Sequence, residues 1–481
     1  MRAVSSRPLS PWSHITHEVD TGPVGPEIGA LFDLDRTLLA GFSVVTFVRE
    51  GIRRGLIGTG ALATALLAGL RFQLADSTST GFLDDLAGLL RGVPERELEA
   101  VGERLFRDTL AGDVFPEARA LVRAHLRKGH TLAVVSSATR YQVEPIARDL
   151  GIPHVLCTRL EVRGGAFTGR VLGTPCHGAG KVAAARTLAV ERGLDLGRSW
   201  FYTDSDEDLP LLEAVGSPRP TNPNRRLAEI AGRRDWPARH FTTRGFPGAV
   251  DVLRTSLAVG SLVPALLLGL PVAALQGSWL PAINLAATTW GELGTALAGL
   301  DVRVHGTEHL WSHRPAVFIF NHQSAVDMLL LCKLLHRDFV GVSKEEVRRN
   351  PIFGPAFALA GTVFIDRFDH RRAVEALEPA IETLRGGRSI AIAPEGTRSP
   401  TPRLGRFKKG AFRMAMAAGV PIVPIVIRNA HDALPKQALV LRPARVDVVV
   451  HPPIATDTWT PVDLAARVAA VERLYLETLE S

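Results

Sequence analysis

Between Thr255 and Gly291 the chain runs 37 residues without one charged side chain, TSLAVGSLVPALLLGLPVAALQGSWLPAINLAATTWG. Such a stretch is costly to leave in water, so it must be buried in protein or in lipid. It also divides the chain, because the patterns before and after it are unrelated. Length alone would allow one transmembrane helix of about 20 residues. Two features argue against a single crossing. Pro264, Pro271 and the break from Gln276 to Pro281 are expected to interrupt a continuous helix. Arginine is dense on both flanks (Arg225, Arg226, Arg233, Arg234, Arg244 and Arg254 before, Arg303 and Arg314 after), which favours the same side of a membrane for both. Two short helices that lie in the interface, or dip in and return, satisfy both features. A soluble helical pair packed on the second module is the alternative. Residues 246–300 are therefore expected to form an apolar, membrane-associated helical connector.

At 481 residues the chain suits two domains plus that connector. With 46% apolar and 22% charged residues, global disorder is excluded. The net charge is +7, and only seven of the 56 basic residues are Lys. An arginine excess fits anionic partners such as nucleic acid, acidic lipid or phosphorylated substrates, although a skewed genome composition gives the same excess. Cys157, Cys176 and Cys332 show no C-x-x-C or metal spacing, which reads as a reduced, cytosolic chain. No apolar run of a secretory signal stands at the N-terminus, and residues 1–27 are expected to be a disordered tail.

In residues 28–245, the apolar run Ile28-Gly-Ala-Leu-Phe ends in Asp33-Leu-Asp35-Arg-Thr37. A buried strand delivers carboxylates at i and i+2 to one side of its C-terminal end. Two such carboxylates repel unless a proton or cation lies between them, and Mg²⁺ is the natural guest. A solvated Asp-rich turn would look the same in isolation. Three later pieces extend the pattern. A helix from Pro116 to Lys128 leads through Gly129 into the strand Thr131–Val135, which ends in Ser136-Ser137. Lys181, in His177-Gly-Ala-Gly-Lys181, opens an Ala-rich helix over 182–190. The strand Ser199–Thr203 ends in Asp204-Ser-Asp-Glu-Asp208.

Taken in order over about residues 28–220, these four pieces resemble the haloacid-dehalogenase-like phosphatases of the phosphoserine-phosphatase type. The resemblance implies a Rossmann-like α/β domain with a helical cap over about 38–113. It makes Asp33 the nucleophile that forms an aspartyl-phosphate and Asp35 the general acid and base. Ser136 and Lys181 would hold the phosphoryl oxygens. Asp33, Asp35 and Asp204 would ligate Mg²⁺, with Asp208 supporting the metal site and Asp206 an alternative acid. The cap carries the apolar patch Leu62–Leu70, read as cap core rather than lipid contact.

In residues 301–481, the apolar run Ala316–Phe320 leads into Asn321-His322-Gln-Ser-Ala-Val-Asp327 and then a helical Leu-rich run. The spacing places Asp327 about a turn along that helix, within reach of His322 if the imidazole folds back. A helix-capping His is the plain alternative. Gly361–Ile365 reads as a strand ending in Asp366-Arg367. A helix over 371–384 stops at Gly386-Gly387, and the strand Ser389–Ala393 ends in Pro394-Glu395-Gly396-Thr397-Arg398. Three strands thus deliver polar groups to one sheet edge. Two arginines beside a His–Asp pair suit a phosphate-bearing substrate whose hydroxyl must be deprotonated, whereas each arginine alone is more often a surface ion-pair residue.

Across about residues 301–430 this resembles the glycerolipid acyltransferases of the 1-acylglycerol-3-phosphate type, a second α/β domain. The resemblance implies acyl transfer from acyl-CoA or acyl carrier protein to the sn-2 hydroxyl of lysophosphatidate. His322 would be the general base, oriented by Asp327. Arg367, Glu395 and Arg398 would hold phosphate and glycerol, Gly396 would permit close backbone approach, and Lys344 is a lesser phosphate contact. The reading is a bifunctional enzyme of phospholipid synthesis on the cytoplasmic face of the cell membrane, peripheral or re-entrant, with anionic lipid and no nucleic acid as partner. The alternative is mainly a phosphatase, acting on phosphoserine or phosphatidate, with the other module regulatory or scaffolding.

Overall fold

The computed structural model describes residues 12–55, 87–351, 353–365 and 377–480. The chain forms two compact units, Met1–Phe246 and Pro247–Ser481.

The first unit begins with helix α1 (Ser13–Thr21), followed by β1 (Gly29–Phe32) and α2 (Ser43–Arg53). After α3 (Glu95–Leu105) come α4 (Pro116–Arg127), β2 (Thr131–Thr139), α5 (Arg140–Leu150) and β3 (His154–Thr158). A ribbon of β4 (Leu160–Arg163) and β5 (Ala166–Val171) precedes α6 (Ala179–Arg192), β6 (Trp200–Thr203) and β7 (Ser217–Pro220). The sheet has the order β3-β2-β1-β6-β7 and every pair in it is parallel. Strand β1 is central and buried on both faces, as a parallel core strand must be. Its residues alternate: Ala30 and Phe32 pack in one core with Leu121 and Val122 of α4, and Leu31 packs in the other with Val182 and Ala185 of α6. This sandwich fixes where the chain leaves the sheet at Asp33. The described part of the expected cap comprises α2 and α3, whereas the patch Leu62–Leu70 lies outside the described residues.

One correction concerns the N-terminus. From residue 12 onward the expected tail is ordered: Val19 of α1 is fully buried, and Glu18 pairs with Arg219 and Arg239. Those two partners lie some 200 residues downstream, beyond the reach of local sequence patterning.

The second unit opens with three helices, α7 (Ala249–Gly260), α8 (Leu262–Gln276) and α9 (Trp279–Leu297). Strand β8 (Leu300–His305), β9 (Val317–Phe320), α10 (Asp327–Leu335), β10 (Phe339–Lys344) and β11 (Val363–Ile365) follow. The unit closes with α11 (Glu378–Arg385), β12 (Ser389–Ile392), α12 (Gly410–Ala418), β13 (Ile422–Arg428), β14 (Ala444–Val450) and α13 (Leu464–Glu480). The seven strands run in the order β11-β10-β12-β9-β13-β14-β8, with β9 central and parallel to β12 and β13. Strands β10 and β11 continue the parallel run, so the C-terminal ends of β9, β12, β10 and β11 share one edge.

Of the three breaks expected in the uncharged stretch, one makes a hairpin: Gly277, at φ +60°, ends α8 and Ser278 caps α9. Pro264 sits in the first turn of α8, just past the break at Ser261 that separates α7 from α8, and Pro271 is carried inside the helix. Across that break Ala249–Gln276 still forms a run long and apolar enough to cross a membrane. Helix α9 packs closely on α10: a Cβ built on Gly291 would lie 2.3 Å from the Lys333 amide nitrogen.

Candidate active sites

The first site gathers where β1 and β6 end. Asp33 follows β1, Asp204 follows β6, and Lys181 lies in the first turn of α6, nearly fully buried. Its Nζ donates to Asp33 Oδ1 and to Asp208 Oδ2, each at 2.8 Å. Asp208 Oδ2 also accepts from Thr203 Oγ1 at 2.5 Å. Asp208 therefore anchors the lysine through Oδ2. Asp206 is likewise occupied, by Asn224 at 2.7 Å and Arg226 at 3.4 Å. Asp35 accepts from the Ser43 N–H at 2.8 Å and the Ser43 hydroxyl at 3.2 Å. Gln142 in turn donates to that hydroxyl at 3.3 Å, which ties the start of α2 to α5. Asp204 meets Arg36 at 3.3 Å. Ser136 is buried near the middle of β2, and its Oγ accepts from the Ala138 N–H at 3.2 Å.

The electrostatics follow from that burial. Four carboxylates (Asp33, Asp35, Asp204 and Asp208) face one lysine. Burial first, and then the neighbouring Asp33 charge, push Asp204 up to about 8. Burial likewise raises Asp35 to about 7 against the pull of the Ser43 N–H, with Asp33 adding to the rise. Asp33 is also raised, by burial and by Asp208, although Lys181 opposes both. Lys181 stays charged, because its two carboxylates outweigh the cost of burial. Among the described residues no group of three or more His, Cys, Asp or Glu stands ready to hold a metal ion. The donor chemistry nonetheless fits one: Asp33, Asp35, Asp204 and Asp208 together outnumber the two nearby cations, Lys181 and Arg36, and hard carboxylate oxygens in excess of their countercharge suit a divalent cation.

The second site lies at the ends of β9 and β12. His322 Nδ1 is 2.7 Å from Asp327 Oδ2, and Asp327 is fully buried. The same carboxylate oxygen accepts from the Gln323 and Ser324 N–H groups at 3.1 Å each. An acceptor-only carboxylate at Nδ1 places the imidazole proton there and leaves Nε2 with its lone pair. The backbone of His322 is held from both sides: its N–H donates to Glu395 Oε1 at 2.7 Å and its carbonyl accepts from the Ser399 N–H at 2.8 Å. Glu395 Oε2 accepts from the Gly405 N–H at 2.7 Å, so both of its oxygens are engaged by backbone. Burial raises Glu395 to about 7, opposed by those two amides. Asn321 extends the β9–β13 ladder with its side chain, donating to the Ile427 carbonyl at 2.8 Å and accepting its N–H at 2.7 Å.

Gly396 adopts φ +77°, and a Cβ there would come within 2.9 Å of Lys408 Nζ. Arg398 is half-buried in the same loop, with no ion-pair partner among the described residues. Lys344 ends β10. Arg367 lies outside the described residues, two positions past β11. Sequence patterning does not mark Ser43, Thr203, Asn321 or Lys408 as site residues. Ser43 and Thr203 are single hydroxyls with no spacing that marks them, Asn321 directly precedes His322, and Lys408 reaches Gly396 only through the fold.

Comparison with known proteins divides at the same place. Residues 30–213 match the family model described as haloacid dehalogenase-like hydrolase, and residues 301–428 match that described as acyltransferase. A protein named phosphoserine phosphatase SerB1 from Mycobacterium tuberculosis is 33% identical over 249 residues, 51% of this chain and 80% of its own length. A 1-acyl-sn-glycerol-3-phosphate acyltransferase of Limnanthes alba is 33% identical over 197 residues, 41% of this chain and 69% of its own. The protein of that name from Cocos nucifera is 35% identical over 197 residues, 41% of this chain and 63% of its own.

Proposed function

The chain belongs to two families, the haloacid dehalogenase-like hydrolases through its first unit and the acyltransferases through its second, and on that premise we propose two separate reactions. The first is hydrolysis of a phosphomonoester at Asp33. The second is acylation of the sn-2 hydroxyl of 1-acylglycerol-3-phosphate at His322, giving phosphatidate.

In the hydrolysis, Asp33 attacks phosphorus and the phosphoryl group passes to its carboxylate as the alcohol leaves. Asp35, held by Ser43, gives its proton to the leaving oxygen. It then takes a proton from the water that attacks the aspartyl-phosphate, which releases phosphate and restores Asp33. In the metal-free fold burial raises its ionisation, which favours the protonated form that the first step needs. Lys181 neutralises part of the charge on Asp33 and holds a phosphoryl oxygen. Asp33, Asp35 and Asp204 would hold Mg²⁺, which would supply positive charge for the phosphoryl oxygens.

In the acyl transfer, His322 Nε2 takes the proton of the substrate hydroxyl, and that oxygen attacks the thioester carbonyl of acyl-CoA or acyl carrier protein. Asp327 stabilises the resulting imidazolium, which returns the proton to the departing thiolate. Arg398 and Arg367 hold the substrate phosphate. Glu395, both of whose oxygens accept backbone N–H groups, is not available for that task, so we assign it to fixing the His322 loop.

The observation that carries the reading is the His322–Asp327 contact of 2.7 Å, with Lys181 bridging Asp33 and Asp208 as its counterpart in the first unit. The same reading places the second unit at a membrane surface, because α7 and α8 expose Leu253, Leu257, Leu267 and Leu268. The test uses the purified full chain, assayed for acyl transfer to lysophosphatidate and for phosphate release from lipid and soluble phosphomonoesters. His322→Ala should abolish acyl transfer alone and Asp33→Asn phosphate release alone. Loss of both activities from either change would refute two independent sites.

A further inference from the structure

An open cavity of about 450 Å³ lies against α9, lined by Asn284, Leu285, Thr288, Trp311, His336 and Arg337. It is distinct from the acyl-transfer site. Asp327 opens α10 and His336 follows its last residue, so the helix, about 13 Å long at 1.5 Å per residue, separates the two.

The cavity wall is aromatic and cationic. The Arg314 guanidinium lies 4.1 Å from the Trp311 ring centroid and that of Arg337 lies 5.7 Å from it. Arg314 is fixed in place, its nitrogens donating to the carbonyls of Leu310, Leu335 and Arg337. Arg337 is exposed, and among the described residues its guanidinium has no carboxylate partner. The one acidic group in the turn, Asp338, is gripped by Asn284 of α9, which donates to its Oδ1 at 2.9 Å and accepts its N–H at 3.0 Å. Thr288 of α9 donates to the His336 carbonyl at 3.0 Å. Both residues flanking Arg337 are left-handed without being glycine, His336 at φ +56° and Asp338 at φ +55°. Such backbone persists only where the surroundings hold it, and here α9 does the holding. The result is a rigid turn that presents an arginine beside a half-exposed tryptophan.

Position on the hairpin indicates what meets this surface. Leu275 and Trp279, on either side of the Gly277 turn, are 87% and 55% exposed. Asn284 and Thr288 lie about 8–14 Å along α9 from Trp279. The polar layer on each side of a bilayer is roughly 5–8 Å thick. With the hairpin tip in hydrocarbon, the cavity falls at headgroup depth, where indole and guanidinium groups are both favoured.

We propose that this cavity binds the phosphate headgroup of an anionic glycerophospholipid, at a site separate from the acyl-transfer centre. The lipid phosphate meets Arg337, with Arg314 adding charge behind the lining through its stack on Trp311, and its chains follow Leu285 toward the hairpin tip. The inference rests on the membrane-surface reading of the second unit, and it adds a lipid-selective contact to it.

The experiment measures flotation of the purified full chain with vesicles of phosphatidylcholine alone and of phosphatidylcholine mixed with phosphatidylglycerol. The wild type should bind both and prefer the mixed vesicles. Arg337→Ala should lower that preference about fivefold, the worth of one basic residue at an anionic surface. Trp311→Ala should lower it too, and binding to phosphatidylcholine should hold in both variants. Arg303→Ala on β8 serves as the control for diffuse charge. An equal loss in that variant, or no loss in Arg337→Ala, overturns the site. Calorimetry with dihexanoyl phosphatidylglycerol below its micelle concentration, and with inorganic phosphate, separates the remaining cases. If the wild type floats with no vesicle, the membrane reading fails. Binding of the short-chain lipid that Arg337→Ala abolishes would still support the cavity, and no such binding would overturn it. Inorganic phosphate binding as tightly as the lipid would overturn the lipid assignment in favour of a free phosphate site.

Discussion

Glu395 holds the backbone of His322 rather than facing open space: one carboxylate oxygen accepts the His322 N–H and the other accepts the Gly405 N–H, each at 2.7 Å. A carboxylate can accept both, whereas an amide can accept only one and must turn N–H groups toward the other donor. Glu395→Gln should therefore lower kcat for acyl transfer by at least about tenfold, with KM nearly unchanged, because it loosens the base without removing a substrate contact. It should also cost about 1–3 kcal/mol of stability through an unsatisfied buried amide. A rise in KM alone would instead place Glu395 on the substrate.

The protonation of Glu395 gives a second test. Its ionisation is raised to about 7, so at lower pH the folded protein keeps a proton that an unfolded chain releases near the ordinary value of 4.5. By linkage, this group favours folding fully below 4.5 and loses that contribution as pH rises to about 7. The ionised form is the one that holds His322, so activity moves the other way. Acyl transfer should fall as pH drops below about 7, and Glu395→Gln should flatten part of that limb. An identical pH profile in wild type and variant would sink the assignment.

Asp327 fixes which imidazole nitrogen carries the proton. Asp327→Asn would present either an amide N–H or a poorer acceptor to Nδ1, and it would disturb the Gln323 and Ser324 amides that share the same oxygen. Acyl transfer should drop by roughly 10³–10⁴-fold with phosphate release unchanged. Paired assays on one preparation check this directly.

In the first unit the prediction concerns metal and pH together. Asp35 and Asp204, raised to about 7 and about 8, keep protons in the folded metal-free protein that the unfolded chain gives up near 3.8. Their contribution to stability is therefore complete below 3.8 and is lost as pH rises through about 8. Added Mg²⁺ should stabilise the protein more at pH 8 than at pH 5, and Asp204→Asn should shrink that difference. Urea midpoints with and without Mg²⁺ provide the measurement. Equal stabilisation at both pH values would argue against metal at these carboxylates.

The strand ends were legible in the sequence because each is a short apolar run closed by polar residues, and such runs bury themselves whatever surrounds them. Asp33, Asp204, His322 and Glu395 could be placed on that basis alone. Their partners could not. Asp208 and Asp204 look alike in sequence, but Asp208 lies beneath Lys181 and Thr203. Ser43 reaches Asp35 because the chain turns back from β1 into α2, and no spacing rule announces that return. The ordered α1 depends on Arg219 and Arg239, both supplied from the far end of the unit. Proline is a mixed signal here: the helix breaks at Ser261 beside Pro264, but Pro271 is accommodated inside α8.

The uncharged stretch itself yields the last prediction. A Cβ at Gly291 would stand 2.3 Å from the Lys333 amide nitrogen and 2.8 Å from its Cα, both backbone atoms that cannot swing aside. Gly294 is tight as well, 2.5 Å from a Leu329 side-chain carbon, but that carbon can rotate. Gly291→Ala should thus force α9 off α10 and cost about 1–3 kcal/mol by overpacking, despite the better helix propensity of Ala. Gly294→Ala should cost less. Because α10 begins at Asp327, displacing it should also reduce acyl transfer, while phosphate release stays at the wild-type rate. Thermal unfolding of the two variants beside the paired assays would decide. A Gly291→Ala protein as stable as wild type would mean that α9 is not seated on α10 in this way, and that the apolar hairpin is attached to the acyltransferase unit by its connections alone.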